Sequence, residues 1–300
     1  MLTTSEMIEV HKYERKEFIP LIYDYIPTHL KYVKKRTSKN IHIGQRKLLM
    51  SEIYFLTKYS VLSDCVVYAG AAGGQHIPFL ATLFPKLKFY LWDPGQFAIN
   101  SSKSIEINRD YFTDEVALSY LEKKPLFICD IRSGSEGMKF TDFENEVHRN
   151  NQMQRRWVEI MKPKMAMLKF RVPYNTPISN EYDYLDGEIC LQAWAPPFSG
   201  ETRLITDGSS TRIYSEYEAR LHYINTIIRP YVKYNTFLLA EDFQRVANIS
   251  RSFDCSYEIY IWKSYIDKST CNNKSKWIAD QMIHVCKILH RGLRDDLSKK

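Results

Sequence analysis

The chain of 300 residues lacks any run of roughly 18 apolar residues, the length that a membrane-spanning helix requires. Its first ten residues are too acidic and too weakly apolar for a secretory signal. Its six cysteines lie far apart with no Cys-x-x-Cys pair, which argues against a structural zinc site and a disulfide framework. These absences predict a protein of a reducing compartment with no metal and no membrane partner.

The sequence also has no internal repeat, no low-complexity tract and no Gly/Ser linker. With 44% hydrophobic residues, a chain of this length can bury one large core with terminal additions. We therefore expect an N-terminal extension over 1–43, a core over 44–230 and a helical C-terminal region over 231–300 that packs on the core.

Positive charge is in excess, with 42 Lys and Arg against 35 Asp and Glu, a net charge of +7. This excess is compatible with a polyanionic partner such as RNA, although basic clusters are also common on solvated surfaces. The 21 tyrosines suit base stacking and core positions equally well. The basic residues gather in two groups, Lys34, Lys35, Arg36, Lys39, Arg46 and Lys47, and Arg149, Arg155, Arg156, Lys162 and Lys164.

Hydrophobic periodicity predicts strands that alternate with helices, the pattern of a parallel sheet with right-handed crossovers. The fold class expected is therefore α/β, Rossmann-like, with a mostly parallel central sheet and helices on both faces. Neither a helix nor a strand is predicted for the Tyr/Trp-rich stretch over 257–265. Strands are predicted at 65–69, 88–92, 104–108, 126–130, 164–171, 187–194 and 202–206, and helices at 44–60, 76–84, 114–122, 143–161, 214–229, 240–248 and 275–291.

A glycine turn follows the first predicted strand, with Gly70 and Gly73 in the run Ala-Gly-Ala-Ala-Gly-Gly. Glycine there permits positive φ and close approach of a ligand to the backbone. The turn has no P-loop signature. Asp93 ends the next strand about 20 residues later, where a carboxylate can accept both ribose hydroxyls of an adenosine. The two features together predict a nucleoside cofactor, and at this point both S-adenosylmethionine and NAD satisfy them.

Charged residues stand at the ends of other elements. Asp130 ends an apolar strand, Lys169 ends a later one, Glu201 begins another, and Lys47 lies in the first turn of a predicted helix. Ligands of open α/β sheets bind outside the carboxyl ends of the strands. We expect these four residues to form one catalytic group.

The residue types of this group suit methyl transfer to a ribose hydroxyl, a poor nucleophile that must lose its proton as it attacks. A second ammonium nearby favours the neutral form of a lysine. Lys169 is assigned as the base or hydroxyl-orienting group, Lys47 as a positioning group, and the two carboxylates as groups that align the lysines. The residues alone leave open which lysine is neutral.

Several blocks resemble the poxvirus family of cap-specific mRNA 2′-O-methyltransferases, whose members also serve as the small, stimulatory subunit of the viral poly(A) polymerase. The similarity extends over roughly residues 20–230 with order and spacing kept. The blocks are Gly-Gln-Arg-Lys-Leu-Leu from residue 44, Val-Val-Tyr-Ala-Gly-Ala-Ala-Gly from 66, Cys-Asp-Ile-Arg from 129, Leu-Lys-Phe-Arg-Val-Pro-Tyr from 168 and Glu-Thr-Arg-Leu from 201.

The resemblance implies S-adenosylmethionine as cofactor, 7-methylguanosine-capped mRNA as substrate and a poly(A) polymerase catalytic subunit as partner in a heterodimer. It implies action in the cytoplasm of a virus-infected cell, with packaging in the virion. A cationic methylated guanine is recognised by aromatic faces and carboxylates. The implied cofactor residues are Gln45, Tyr68, Gly70, Ala72, Gly73, Asp93 and Asp130, and the implied cap and RNA residues are Tyr25, Arg171, Tyr174, Phe198 and Glu218.

Two positions depart from the family pattern. No arginine follows Asp93 closely, and Asn175 and Thr176 stand where the family has a second acidic cap contact. Two other functions stay open on the sequence: a non-catalytic, RNA-clamping subunit of a poly(A) polymerase, and a cap-independent 2′-O-methyltransferase of ribosomal or transfer RNA.

Overall fold

A computed structural model describes residues 15–16, 20–22, 44–134, 137–174, 181–196, 199–231, 233–234, 238–246, 252–268 and 271–289. The chain forms two compact units. The first unit comprises Met1–Thr57, Gln192–Ser199 and Ala219–Lys300, and the second comprises Lys58–Leu191 and Gly200–Glu218. Among the described residues, no helix is both long and apolar enough to cross a membrane.

The strands of the second unit are β1 (Cys65–Ala69), β2 (Lys88–Trp92), β3 (Ile105–Asn108), β4 (Leu126–Cys129), β5 (Met165–Phe170), β6 (Tyr182–Leu185), β7 (Glu188–Cys190), β8 (Thr202–Thr206) and β9 (Thr211–Tyr214). Seven of them form a sheet in the order β3-β2-β1-β4-β5-β8-β7. The first five strands of this order are parallel, and β8 pairs antiparallel with both β5 and β7. A separate antiparallel pair joins β6 and β9.

Helices connect the strands of the sheet and build the first unit. Two-residue strands at Arg15–Lys16 and Lys233–Tyr234 also pair in parallel. After α5 the chain continues as a π-helix, Ile224–Ile228, and a last turn, Arg229–Tyr231. The helices are α1 (Gly44–Tyr59), α2 (Ile77–Leu83), α3 (Asp114–Ser119), α4 (Phe140–Met161), α5 (Tyr217–Tyr223), α6 (Ala240–Val246), α7 (Ser252–Ile266) and α8 (Lys274–Leu289).

Local chemistry explains why the elements begin and end where they do. Every residue of β1 and of β4 is buried, as the continuous apolar runs of central parallel strands require. Thr113 caps α3 by accepting a hydrogen bond from the Val116 N–H at 3.3 Å. Lys162 ends α4 in the left-handed conformation with φ of 48°, which turns the chain into β5.

The predicted α/β class with a mostly parallel central sheet is confirmed, while several elements differ from those predicted, as three examples show. The strand expected over 187–194 is only Glu188–Cys190. The helix expected from 214 begins at Tyr217, because 211–214 pairs with β6. The stretch over 257–265, which received no element, belongs to α7. That helix is buried on most of its circumference, so it lacks the polar face that makes a helix visible in a sequence.

Candidate active site

The loop after β1 lies where the strand order reverses between β1 and β4, the position at which open α/β sheets bind ligands. Gly70 has φ of 80° and donates its N–H to the Trp92 carbonyl at 2.9 Å. A Cβ at Gly70 would lie 2.9 Å from the Ile131 nitrogen, so a side chain is excluded there by both conformation and space. The predicted glycine turn is therefore formed as a tight loop beside the end of β4.

Asp93 follows β2 and holds this loop in place. Its Oδ2 accepts the Ala72 N–H at 3.1 Å, and its Oδ1 accepts the Gly95 N–H at 2.7 Å. Gly73 is bridged to Phe97, and its carbonyl accepts the Ala98 N–H at 2.9 Å. Each carboxylate oxygen has capacity for a further hydrogen bond. The partly exposed Asp93 therefore acts as a turn-former and retains acceptors that fit ribose hydroxyls.

Four charged side chains meet at the same edge of the sheet. The Lys169 Nζ lies 3.3 Å from the Asp130 Oδ1 and 3.5 Å from the Glu201 Oε2. The Arg203 Nη2 lies 2.6 Å from the Asp130 Oδ1 and 3.9 Å from the Glu201 Oε1. The structure thus brings together three of the four predicted catalytic residues. We call Asp130, Lys169, Glu201 and Arg203 the Lys169 cluster.

The strand pairing accounts for this convergence. The Asp130 N–H donates to the Ala69 carbonyl at 2.9 Å, which extends β4 along β1 by one residue. Lys169 on β5 is the direct cross-strand partner of Arg203 on β8, so their side chains share a face. Because β8 runs antiparallel, its beginning, where Glu201 lies, is at the same edge as the ends of β4 and β5.

Arg203 was missed by the sequence reasoning, although it lies two residues after Glu201 and period-2 alternation places both on one face. Its side chain is 3% exposed, against 13% for Lys169, 16% for Asp130 and 19% for Glu201. Burial alone would lower the pKa of Arg203, but attraction to Asp130 and Glu201 outweighs burial and raises it. This guanidinium therefore remains charged while the more exposed members of the cluster face solvent or ligand.

A second group surrounds Arg171, one of the residues that the resemblance assigns to cap or RNA binding. Arg171 forms a bidentate ion pair with Glu144, in which Nη1 donates to Oε2 at 2.6 Å and Nη2 donates to Oε1 at 2.8 Å. Its guanidinium carbon lies 4.7 Å from the centroid of the partly exposed Tyr174 ring. Burial, and then the charge of Glu144, raise the pKa of Glu218 to about 7, while Arg171 opposes the shift.

Arg132 is a further cation that the sequence reasoning did not select. Its Nη1 and Nη2 atoms are buried and form no hydrogen bond with any residue that the structure describes. Burial lowers the pKa of Arg132, and the nearby carboxylate of Glu201 opposes this effect. Because an unsatisfied buried donor costs about 1–3 kcal/mol, more if charged, this guanidinium suits an anionic ligand.

The remaining predicted site residues belong to the first unit, to β1 or to segments outside the described residues. Gln45 and Lys47 occupy the first turn of α1 in the first unit, and both are partly buried. Tyr68 is 1% exposed within β1. Tyr25 and Phe198, together with 175–176, are not among the residues described.

The sheet order, the glycine loop at its switch point and the acidic residue after β2 define a Rossmann-like fold of the methyltransferase type.

Comparisons with known proteins agree with this class. The model of the family described as Poly A polymerase regulatory subunit matches residues 18–294. The chain is 29% identical over 288 residues to the cap-specific mRNA (nucleoside-2′-O-)-methyltransferase of Myxoma virus (strain Lausanne), covering 85% of this chain and 80% of that protein. It is 31% identical over 276 residues to the protein of the same description from Fowlpox virus (strain NVSL), covering 82% and 85%. The chain belongs to the poly A polymerase regulatory subunit family.

Solved structures of low sequence identity resemble parts of the chain. Human methyltransferase-like protein 13 in complex with SAH is 12% identical, with a TM-score of 0.34 over 65% of this chain and 95% of that chain. The bifunctional kinase-methyltransferase WbdD is 14% identical, with a TM-score of 0.31 over 58% and 43%.

Proposed function

We propose that this chain is an S-adenosylmethionine-dependent methyltransferase that modifies the ribose 2′-hydroxyl of the first transcribed nucleotide of 7-methylguanosine-capped mRNA. The observation that supports this activity most strongly is the Lys169 cluster beside the glycine loop. Its contacts of 3.3 and 3.5 Å place a lysine between two carboxylates at the ligand-binding edge of the sheet. Membership of a family whose viral relatives carry this activity in their names supports the same conclusion.

The residues around the glycine loop fit an adenosine-containing cofactor. Asp93 supplies acceptors for ribose hydroxyls, and Asp130 supplies a carboxylate beside the loop. When bound, S-adenosylmethionine supplies an activated methyl group. The residues that we expect to hold it are Gln45, Tyr68, Gly70, Ala72, Gly73, Asp93 and Asp130.

Lys169 is the residue of the cluster best placed to handle the hydroxyl proton. In its neutral form the amine accepts the proton of the 2′-hydroxyl and becomes an ammonium, which Asp130 and Glu201 stabilise at 3.3 and 3.5 Å. Arg203 bears the fixed charge that balances the second carboxylate. Lys47 is assigned, as before, to positioning the hydroxyl.

The cap would bind near the Arg171 group. Tyr174 is the aromatic that we assign to stacking on the guanine, and Glu218 is the carboxylate assigned to the guanine edge. Tyr25 and Phe198 complete the proposed set. Arg132 supplies unsatisfied donors that fit a phosphate of the transcript.

The test is transfer of a tritiated methyl group from S-adenosylmethionine to short RNA with and without a 7-methylguanosine cap. Nuclease digestion identifies the methylated nucleotide. We expect label on the first transcribed ribose of capped RNA only, and its loss in Lys169→Ala. Lys164→Ala is the matched control, because Lys164 is exposed at the opposite end of β5. Equal labelling of uncapped RNA would instead indicate a cap-independent ribose methyltransferase.

The family description also favours a second function, that of a regulatory subunit of a poly(A) polymerase in the cytoplasm of a virus-infected cell. We expect the chain to form a heterodimer with the cognate catalytic subunit and to lengthen the tails that it makes. The measurement is tail length with wild type and with Lys169→Ala. Since the two activities use different surfaces under this proposal, the variant should stimulate the polymerase normally while losing methyl transfer.

A further inference from the structure

Glu144 is a buried carboxylate that neither the sequence motifs nor the proposed methyl-transfer chemistry uses. Its side chain is 2% exposed, and it lies in the first half of α4. It accepts two hydrogen bonds from Arg171, at 2.6 and 2.8 Å, and a third from the backbone N–H of Tyr174 at 2.8 Å. One side chain thus fixes both the cation and the backbone of the aromatic residue beside it.

The position of the Tyr174 ring is restricted from two directions. On one side the guanidinium carbon of Arg171 lies 4.7 Å from the ring centroid. On another, a Cβ added to Gly200 would lie 2.0 Å from the Tyr174 Oη, so only glycine at this position admits the ring. Together with the hydrogen bond to its backbone N–H, these contacts hold the ring in one place.

The charge of Arg171 would by itself make this ring a poor platform for a second cation. A cation near an aromatic face is attracted by the π system, but another positive charge nearby opposes that attraction. Glu144 cancels the charge of Arg171 through a two-pronged pair. Glu218 adds a second carboxylate to the region, which further reduces the positive charge near the ring.

We propose that Glu144 is a specificity-determining residue, which makes the Tyr174 platform select a positively charged, N7-methylated guanine over a neutral guanine. It does so by holding the ring and by neutralising Arg171. The inference rests on the proposed cap-dependent function. N7-methylation adds one positive charge and leaves the size of the ring system almost unchanged. Charge is therefore the property by which this arrangement can distinguish the methylated from the unmethylated guanine.

The experiment measures dissociation constants of the purified full chain for a 7-methylguanosine-capped dinucleotide and for its unmethylated counterpart, at one pH. In Glu144→Gln, which keeps the shape but replaces one acceptor oxygen by an NH2 donor, we expect the preference for the methylated cap to fall about fivefold, as for loss of one partly screened charge interaction. Glu146→Gln is the control, because it removes the same charge from the same helix at a position that forms an ion pair with the exposed Arg149. Its preference should equal that of wild type.

Arg171→Gln separates charge selection from a merely structural role. It breaks the same buried pair but leaves the negative charge, so the preference for the methylated cap should rise above that of wild type even if both affinities fall. The double variant Glu144→Gln/Arg171→Gln should regain most of the preference lost in Glu144→Gln. Equal loss of both ligands in Glu144→Gln, or no rise in preference in Arg171→Gln, would overturn the proposal.

A failure of the proposed function gives a different result. A wild-type chain that binds the two dinucleotides equally would refute cap recognition itself, whatever the variants do. If Glu144→Gln does not fold, the comparison of Arg171→Gln with wild type decides alone. Charge selection predicts a higher preference for the methylated cap in that variant, whereas a structural defect does not.

Discussion

Each compact unit contains a group of cations and carboxylates withdrawn from solvent, and the two groups differ in how completely the chain satisfies them. In the second unit, the Lys169 cluster has contacts of 2.6 to 3.9 Å, and the side chains of its lysine and two carboxylates are 13–19% exposed. In the first unit, Arg46 and Glu258 are 0% exposed and joined at 2.5 and 2.8 Å. We call Arg46, Trp194, Arg229, Asp254, Glu258 and Trp262 the Arg46 cluster.

The two carboxylates of the Arg46 cluster accept hydrogen bonds from other members of the cluster. Glu258 also accepts the indole N–H groups of Trp194 at 2.6 Å and Trp262 at 3.2 Å. Asp254 accepts the Trp194 backbone N–H at 2.8 Å and an Arg229 N–H at 3.1 Å. A closed ionic cluster therefore serves structure, whereas an open one with longer contacts retains capacity for a ligand.

The largest effect should come from removing the open cluster's lysine. Lys169→Met should lower methyl transfer by about 10²–10⁴-fold, the range for a lost general base. The free energy of unfolding should change little, because the site is partly exposed and Arg203 still balances the carboxylates. The measurements are initial rates and denaturant unfolding of the same preparation. A large loss of stability with normal activity would show that the Lys169 cluster serves structure and not catalysis.

The closed cluster should show the opposite behaviour. Arg46→Leu leaves the Glu258 carboxylate buried without its cation and should lower the free energy of unfolding by about 3–5 kcal/mol. Arg46→Leu/Glu258→Leu removes both charges and should recover part of that loss, though not all, since two indole N–H groups lose their acceptor. Urea unfolding measures both. Equal stability of the single variant and wild type would show that the cluster is not closed.

Glu218 makes the free energy of unfolding depend on pH. Its pKa is raised from 4.5 to about 7, mainly by burial, so the folded chain holds this proton more tightly than the unfolded chain. Its contribution to the free energy of unfolding is therefore present below 4.5 and is lost as pH rises towards and through 7. Glu218→Gln should remove this decline.

The same titration should affect cap affinity. Between about pH 5.5 and about pH 7, ionisation of Glu218 should increase wild-type affinity for the 7-methylguanosine-capped dinucleotide several-fold, because a carboxylate attracts the cation more than its protonated form. Titration calorimetry with wild type and Glu218→Gln provides the measurement. A pH-independent affinity in wild type would contradict the assigned role.

The smallest effect belongs to a surface pair. Lys58 lies 2.8 Å from Glu188, and their side chains are 36% and 41% exposed. Lys58→Ala should change the free energy of unfolding by no more than about 1 kcal/mol, as exposed ion pairs contribute little. Urea unfolding in low and high salt provides the measurement. A loss of stability comparable with that of Arg46→Leu would show that burial does not determine how much an ion pair contributes.

The fold and three of the four members of the Lys169 cluster could be predicted because they follow from local pattern, whereas Arg203 was not selected. Asp130, Lys169 and Glu201 each stand at the boundary of an apolar strand, and strand ends converge at one edge of a parallel sheet. The helix α7 escaped prediction because it is apolar nearly all round. Its two buried acids, Asp254 and Glu258, cannot be distinguished from surface charges when only the sequence is known.

Glu144 escaped prediction for a related reason. It lies in α4 among many polar residues, where an acid ordinarily faces solvent. Its partners Arg171 and Tyr174 come 27 and 30 positions later, so no local pattern reports the contact. Such residues become visible only when the tertiary contacts are known.

The bond between Arg46 and Glu258 joins residues 212 positions apart. Its consequence concerns deletion. A shortened chain that ends before α7 would retain Arg46 in the first turn of α1 but lose the carboxylate that neutralises it. Progressive trimming from the C-terminal end should therefore fail abruptly once α7 is lost, and a lineage that discarded this helix would first have to replace Arg46 by an apolar residue.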